Sequence, residues 1–356
     1  MNVSVKEVNR FFMLASAPFL GMLLFMLFSS QTLQIRYDPG EPATTAEFEA
    51  RAAQIAGDLD DAAQTALYVS ESIRNISALY QKTTQTMAAI VKVAGAQADR
   101  PAKIYNDRIT SKLGKASQKI ESDKIRMELF YLNQDTYKGY ALKVKLKDPK
   151  AMTMALGKDK VGGAETTLQA VKRYGAAAGI NAGGFADGKG NRYPLSTTVL
   201  NGKYINGGFE ASYKDLSFVG LNEQGKLIGG KFQSQQQLDK LKPSFGATFV
   251  PVLLKNGVKL AIPDKWKSSP KRAPRTVIGN YKDDQLLIIV ADGYDEKGKS
   301  GATLEELQNK LSNLGVIDAY NLDGGGSSTL IFNGKIVNKP SDGKLRPVPT
   351  HFLFFK

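Results

Sequence analysis

The sequence predicts an α+β protein whose larger part is a mostly antiparallel sheet domain with a few helices. A transmembrane helix and a helical stalk, either a coiled coil or a hairpin, are expected before it. Three observations predict this class: an uncharged apolar stretch near the N-terminus, a heptad repeat after it, and short apolar runs between turn residues from residue 126 onward. We therefore expect a cytoplasmic tail and signal anchor at 1–36, the stalk at 37–125 and the domain at 126–356.

The apolar stretch, residues 11–28, reads FFMLASAPFLGMLLFMLF and carries no charge. Its length is at the short end for a membrane-spanning helix. Lys6 and Arg10 precede it and Arg36 follows it, a bias that favours a cytoplasmic N-terminus. A cleaved signal peptide is the alternative. The expected location is the cell membrane, with a single pass and the C-terminal domain outside the cell.

The predicted stalk carries apolar or small residues in alternating steps of four and three from residue 44 to 98. This heptad spacing, sustained over about six repeats, predicts a long helix. The pattern returns more weakly at 102–123, and Pro101 predicts that the first helix ends between the two segments. The two helices can fold back as a hairpin or pair between chains, and pairing between chains would make the protein a homo-oligomer.

The domain begins where short strands replace the heptad pattern. Two helices are also expected, at 165–174 and 303–314, and each has a capping box at its start and a glycine at its stop. Four Asn-Gly pairs, at 201, 206, 256 and 333, predict hairpin turns. The predicted strands cover residues 127–132, 140–146, 176–180, 286–290, 316–322 and 329–332. The capping residues are Thr166 with Gln169 and Thr303 with Glu306, and the glycines are Gly175 and Gly315.

Composition limits the chemistry of any site. The chain has no cysteine, and His351 is its one histidine, so a thiolate or histidine-rich metal site is excluded. A metal would be held by oxygen ligands, which suit calcium or magnesium. No particular metal ligands are identified.

The net charge of +14 is concentrated in the domain. Residues 1–125 hold 14 Lys or Arg and 13 Asp or Glu, whereas residues 126–356 hold 34 and 21. Such a surface suits a polyanionic partner, for example a phosphate-bearing carbohydrate, or it only keeps the protein soluble. Nucleic acid is not expected, because the chain lacks the interleaved aromatic and basic residues of single-strand binders.

Polar residues follow three of the predicted strands. Asn181, Asp292 and Asp323 each come directly after or close behind an apolar run, and each lies beside glycines. These side chains would converge on a cleft if the strands are neighbours. They would mark ordinary turns if the strands are not, since Asp-Gly and Asn-x-Gly are common turn formers.

The most distinctive stretch is DAYNLDGGGSSTLI at 318–331. Its order is strand, glycine loop, strand, so it does not fit a nucleotide-binding loop, which needs a helix after the glycines. Gly324, Gly325 and Gly326 let backbone N–H groups approach a ligand, and the hydroxyls of Ser327 and Ser328 follow.

This stretch and its continuation, NLDGGGSSTLIFNGKIVNKPSDGKLRP, resemble the signature of the phosphodiester glycosidase family. Three further motifs of the family recur in order, NAGGF at 181–185, PRTVIG at 274–279 and ADG at 291–293. The resemblance covers residues 127–356. It implies an enzyme that hydrolyses the bond between sugar and phosphate in a sugar-1-phosphodiester, such as a wall polymer, an exopolysaccharide or a glycan.

The resemblance also implies roles for particular residues. Asp323, Asp292 and Asn181 are expected to be catalytic, with a carboxylate that activates water or attacks the sugar. Arg275 and Arg346 are expected to bind the diester phosphate, since a guanidinium can grip phosphate with two hydrogen bonds. The other expected phosphate-binding residues are Gly324, Gly325, Gly326, Ser327 and Ser328, and the other expected substrate-binding residues are Gly183, Gly184, Thr276 and Asn321.

Two departures from the family pattern favour an alternative. Tyr294 stands after ADG where the family usually has arginine, and Ala186 stands where an aromatic residue often follows Phe185. The alternative is a surface protein that binds anionic glycopolymers without turnover. His351 is expected to belong to the last strand rather than to act as a base for a serine nucleophile.

Overall fold

The computed structural model describes residues 5–29, 44–293 and 300–356. The chain divides into two compact units, Met1–Val91 and Lys92–Lys356. Tyr294, one of the two departures from the family pattern, lies outside the described residues. The helices are α1 (Val5–Ser29), α2 (Thr45–Leu113), α3 (Thr167–Tyr174), α4 (Gln235–Asp239), α5 (Asp264–Ser268) and α6 (Leu304–Leu314).

Helix α1 overturns the prediction of a membrane span. Among the described residues, no helix has the length and apolar character needed to cross a bilayer. The stretch at 11–28 has 18 residues without a charge. As a helix it would extend about 27 Å, less than the hydrocarbon core of about 30 Å. The predicted transmembrane signal anchor is therefore wrong.

Helix α2 also differs from the predicted stalk. It is one helix of 69 residues that passes through Pro101, so it neither ends there nor folds back as a hairpin. Its apolar heptad residues are exposed, for example Phe48 at 71% and Ile73 at 59%. Among the described residues no second helix covers them, so the structure does not support a coiled coil. The homo-oligomer stays a prediction.

The last turns of α2 belong to the second unit, and their packing explains why the helix continues beyond Pro101. Proline removes one backbone hydrogen bond. Ile109 and Leu113 are buried there at 4% and 8% exposure. The Lys143 ammonium, paired with Glu128, also donates to Thr110 Oγ1 at 2.6 Å. These contacts favour the helix over the chain break that the proline signals.

The second unit is rich in sheet, and its chain runs through short strands. In order they are β1 (Gln118–Glu121), β2 (Ile125–Asn133), β3 (Lys138–Leu146), β4 (Met152–Leu156), β5 (Ala178–Asn181), β6 (Phe185–Gly188), β7 (Asn191–Pro194), β8 (Thr198–Leu200), β9 (Lys203–Ile205), β10 (Ser217–Asn222), β11 (Leu227–Gly230), β12 (Pro243–Phe249), β13 (Val252–Lys255), β14 (Val258–Lys259), β15 (Arg275–Asn280), β16 (Leu286–Ala291), β17 (Asp318–Leu322), β18 (Leu330–Phe332), β19 (Lys335–Ile336) and β20 (Thr350–Phe354).

These strands form four sheets whose ladders, among the described residues, are all antiparallel. The largest has the order β1-β2-β3-β16-β15-β17-β13-β14. Two five-stranded sheets have the orders β11-β10-β12-β8-β9 and β19-β18-β5-β20-β4, and β6 pairs with β7. The main core lies between these sheets and includes Ile288, Tyr320, Phe245 and Phe352. A second core lies on the other face of the large sheet, under α6 and the end of α2.

The local signals for helices and hairpins are found where the sequence places them. Both capping boxes are present, and Gly175 and Gly315 end their helices with positive φ. The Asn-Gly pairs at 201, 256 and 333 each join two paired strands. The pair at 206 forms a turn after β9 but joins no paired strands, because β9 and β10 are not neighbours in their sheet.

Candidate active site

Three strand ends of the large sheet lie at one edge of it. Arg275, which opens β15, pairs with Ala291 at the end of β16, so Asp292 comes next at that edge. Thr276 pairs with Leu322 at the end of β17, so Asp323 also follows there. Because β15 lies between the other two strands, Asp292 and Asp323 emerge two strand spacings apart, about 10 Å.

Asn181 reaches this edge from another sheet, at the end of β5. Its Nδ2 donates to the carbonyl of Asp323 at 2.6 Å. Its Oδ1 accepts from Thr276 Oγ1 at 2.9 Å and from the backbone N–H of Thr329 at 3.1 Å. One buried amide thus holds the residues on both sides of the glycine loop. Asn181 is therefore a loop-holding residue, and the catalytic role expected for it stays a prediction.

The glycine loop itself is compact. Gly325 has a φ of +57° and donates its N–H to the carbonyl of Pro274 at 2.8 Å, which ties the loop to the start of β15. Asp323 accepts the N–H of Gly324 on Oδ1 at 3.0 Å. A Cβ at position 326 would overlap the guanidinium of Arg346, so a larger residue there would displace that side chain.

Arg275 is a buried cation next to this loop. A Cβ on Gly324 would lie 3.7 Å from its Cδ. The residue is 5% exposed, its Nη2 donates to the carbonyl of Pro270 at 2.9 Å, and its Nε has no hydrogen-bond partner. Burial lowers the pKa of the guanidinium to about 10, and the charge of Glu305 offsets part of this effect. A buried cation without an ion-pair partner is costly, which favours an anion as its ligand.

Two buried hydroxyls in the loop are also unsatisfied. Ser327 and Ser328 are 1% and 2% exposed, and neither Oγ has a hydrogen-bond partner in the part of the chain that the structure describes. Leaving a buried polar group unpaired costs about 1–3 kcal/mol. Such groups in a native structure are typical of ligand sites.

Arg346 lies against the other side of the loop. It forms an ion pair with Asp342, with 2.9 Å between Nη2 and Oδ2, and it remains partly exposed. The structure therefore brings together Arg275, Arg346 and the glycine loop, as expected for a site that binds an anion.

Asp292 is half-buried beside the segment that follows β19. Its Oδ1 accepts the backbone N–H of Lys339 at 2.9 Å. Burial raises the pKa of Asp292, and the Lys339 N–H, the charge of Lys339 and the nearby amide of Asn338 only partly reverse the rise. No motif or spacing points to Asn338, which stands alone between a strand and a Lys-Pro pair.

The four other residues expected to bind substrate make contacts within the protein, and their expected role stays a prediction. Asn321 is buried and donates from Nδ2 to the carbonyl of Val250 at 2.6 Å. Gly183 and Gly184 permit close packing of the chain after β5 on strand β12, because a Cβ at either would collide with it. Thr276 is fully buried and donates to Asn181.

His351 lies in β20, as expected, and is fully buried. Its Nδ1 is 3.1 Å from Thr167 Oγ1, and burial lowers its pKa to about 4. No hydrogen bond joins it to Ser327 or Ser328, whose hydroxyls are both unpartnered. A serine–histidine pair is therefore not formed in this part of the chain.

A metal centre is not indicated by the described residues, in which no three acidic or histidine side chains cluster. The calcium or magnesium considered from the sequence stays a prediction. The groups on this edge define a class of site: carboxylates beside a glycine loop with buried donors, at the edge of an antiparallel sheet.

The profile of the phosphodiester glycosidase family matches residues 174–355, just over half of the chain. The chain belongs to this family. The resemblance that the motifs predict is thus confirmed for this segment.

Known relatives agree with the assignment. The chain is 27% identical over 164 residues to mouse N-acetylglucosamine-1-phosphodiester alpha-N-acetylglucosaminidase, which covers 42% of this chain and 30% of the relative. It is 43% identical over 68 residues to the human protein of that name, covering 19% and 13%. It is 29% identical over 188 residues to the SPbeta prophage-derived uncharacterized protein YomE of Bacillus subtilis (strain 168), covering 52% and 28%.

A solved structure shares the fold. It is the catalytic domain of the zebrafish N-acetylglucosamine-1-phosphodiester alpha-N-acetylglucosaminidase, auto-inhibited by its pro-peptide. The TM-score is 0.52 at 21% identity, over 68% of this chain and 87% of that one. The chain spans less than a third of the length of the curated relatives it matches.

Proposed function

We propose that this protein hydrolyses the bond between the sugar and the phosphate of a sugar-1-phosphodiester, releasing free sugar and leaving a phosphomonoester. The observation that carries the proposal is the buried guanidinium of Arg275, which has no ion-pair partner among the described residues and lies against the glycine loop. A phosphodiester supplies the missing anion. Its oxygens can also accept from the unsatisfied hydroxyls of Ser327 and Ser328.

The same groups favour the reaction. Phosphate leaves the anomeric carbon readily once its charge is neutralised by donors aimed at it. The strands that deliver Asp292 and Asp323 are two spacings apart, about 10 Å, and carboxylates set wide apart leave room for a water between them. Burial raises the pKa of Asp292, which suits a base. We therefore assign Asp292 to the activation of water and Asp323 to the stabilisation of the positive charge that develops on the sugar.

The substrate class follows from charge. The domain at 126–356 has 34 Lys or Arg against 21 Asp or Glu, which favours a phosphate-bearing polymer such as a wall polymer or exopolysaccharide. Action outside the cell stays a prediction.

The test uses the full chain, because the end of α2 packs on the sheet domain. UDP-N-acetylglucosamine and a synthetic sugar-1-phosphodiester are incubated in water enriched in ¹⁸O, with and without calcium or magnesium. The expected result is free sugar carrying ¹⁸O and an unlabelled phosphomonoester, both lost in Asp323→Asn and Arg275→Ala. Label in the phosphate would place the cleavage at phosphorus and contradict the proposal.

A second candidate is a protein that binds anionic glycopolymers without turnover, and the excess of basic residues favours it equally. The two are separated by Asp323→Asn. An enzyme loses product formation and keeps polymer binding in this variant. A binding protein shows no product in either form, and its binding weakens with salt.

A further inference from the structure

Asn338 is a buried asparagine that the predicted site does not include. It is 4% exposed and follows β19. Its Nδ2 donates to the carbonyl of Ser328 at 2.9 Å, and its Oδ1 accepts the N–H of Leu330 at 2.7 Å. The amide therefore holds the end of the glycine loop that carries an unsatisfied hydroxyl.

The next residue, Lys339, donates its backbone N–H to Oδ1 of Asp292 at 2.9 Å. Asn338 thus ties the segment that holds this carboxylate to the loop that begins after β17, although β15 separates β16 and β17 in the sheet. Asn181 also holds the loop, through Asp323 and Thr329, but none of its three hydrogen bonds goes to a carboxylate. Asn338 therefore joins the loop to the backbone that binds Asp292.

We propose that Asn338 is a positioning residue that fixes the carboxylate of Asp292 relative to Ser328, and so relative to the substrate phosphate. The proposal rests on the proposed function, because it assigns Asp292 to the attacking water. A base displaced by about 1 Å typically loses about 100-fold in rate. Substrate binding depends on Arg275 and the loop, so it changes much less.

The electrostatics give the proposal a readout that a purely structural role would not move. Asp292 is surrounded by the amide of Asn338, the N–H and charge of Lys339, and the ring of Tyr140, whose own pKa the carboxylate raises. Without the Asn338 side chain, the Lys339 N–H that stabilises the ionised carboxylate is no longer held in place, so the pKa of Asp292 rises further. The activity then falls at a higher pH on the acid side.

The experiment compares the full chain with its Asn338→Asp and Asn338→Ala variants. The expected result is a fall in kcat of about 100-fold, a change in KM of less than about threefold, and an acid limb shifted to higher pH. The matched control is Asn280→Asp, because Asn280 lies at the opposite end of β15 and its Nδ2 bonds only a neighbouring carbonyl. It should leave both kcat and the pH profile unchanged.

A second measurement separates this proposal from the proposed function. The carboxyl carbon of Asp292 is titrated by NMR without substrate and assigned with Asp292→Asn. An upward shift in Asn338→Ala supports the contact even if the wild type shows no turnover. An unchanged titration in a folded Asn338→Ala variant, or equal losses of kcat in Asn338→Ala and Asn280→Asp, overturns the proposal. If Asn338→Asp does not fold, Asn338→Ala alone decides.

Discussion

Two groups of buried polar side chains flank the glycine loop, and they differ in how well they are satisfied. On one side Asn181, with Thr276 and Thr329, forms three hydrogen bonds that stay within the protein. On the other side the Nε of Arg275 and the hydroxyls of Ser327 and Ser328 lack partners, although each residue is at least 95% buried.

The difference teaches which residues maintain the fold and which await a ligand. A satisfied buried amide contributes to stability, and its loss leaves its partners unpaired. An unsatisfied buried group costs stability and is retained where it serves function. Mutations should therefore affect stability on the first side and activity on the second.

The largest expected effect is on the unsatisfied side. Arg275→Met should lower kcat/KM on a sugar-1-phosphodiester by about 100- to 1000-fold, as does loss of a donor to a developing oxyanion. The variant should unfold at an equal or higher urea concentration, because it no longer buries an unpaired cation.

Arg272→Met is the matched control, because Arg272 is paired with Glu306 and donates to the carbonyl of Gly301. It should lose about 1–3 kcal/mol of stability and little activity. Equal destabilisation by both substitutions would mean that Arg275 also serves the fold.

The next effect is on the satisfied side. Asn181→Asp should destabilise the protein by about 3 kcal/mol, since a carboxylate would face the carbonyl of Asp323 that Nδ2 now contacts. Urea unfolding measures the change. Asn133→Asp, at an exposed strand end, should cost less than about 0.5 kcal/mol. A stable but inactive Asn181→Asp variant would instead support the catalytic role.

His351 offers a further test of this comparison. Its Nε2 has no hydrogen-bond partner among the described residues, and its Nδ1 lies within hydrogen-bond distance of Thr167 Oγ1. Its pKa is about 4 in the fold, below the ordinary 6.5, so the folded state favours the neutral ring. Stability from this residue is complete above about pH 6.5 and is lost as pH falls, by about 3 kcal/mol at pH 4. His351→Leu should show a flatter dependence of unfolding free energy on pH. An identical pH dependence would exclude the histidine as its cause.

The smallest effects concern the two hydroxyls. Ser327→Ala and Ser328→Ala should each lower kcat/KM about tenfold, equivalent to about 1.4 kcal/mol. Stability should stay within about 0.5 kcal/mol, because no protein hydrogen bond is removed. Thr329→Val is the control, since Thr329 Oγ1 donates to the carbonyl of Ser327 at 3.1 Å. Thr329→Val should lose about 1 kcal/mol of stability, which thermal unfolding measures. Unchanged activity in the two serine variants would show that these hydroxyls do not belong to the site.

Signals that act within a few residues were sufficient to predict parts of the fold. The capping boxes at Thr166 and Thr303 form because both partners lie in the same helical turn. Pro101 misled for the opposite reason, since distant packing of Ile109 and Leu113 stabilises the helix beyond it. The absence of charge over residues 11–28 likewise led to the wrong prediction of a membrane span.

The site shows the same limit. The glycine motif located the loop, and its serines and Arg275 could be named from their types. The hydrogen bonds of Asn181 could not be predicted, because its partners Thr276 and Thr329 lie far from it along the chain. Asn338 was missed for that reason too, since its bond to Ser328 and the bond of its neighbour Lys339 to Asp292 depend on the fold.

The tight packing of Gly326 has a consequence for protein engineering. Any side chain at this position would displace the ends of Arg346 and Asp342, and Arg346 is one of the residues expected to bind phosphate. A library that randomises the glycine loop to change sugar preference should therefore leave position 326 fixed. Position 325 carries a second constraint, its positive φ, so useful diversity must be introduced outside the loop.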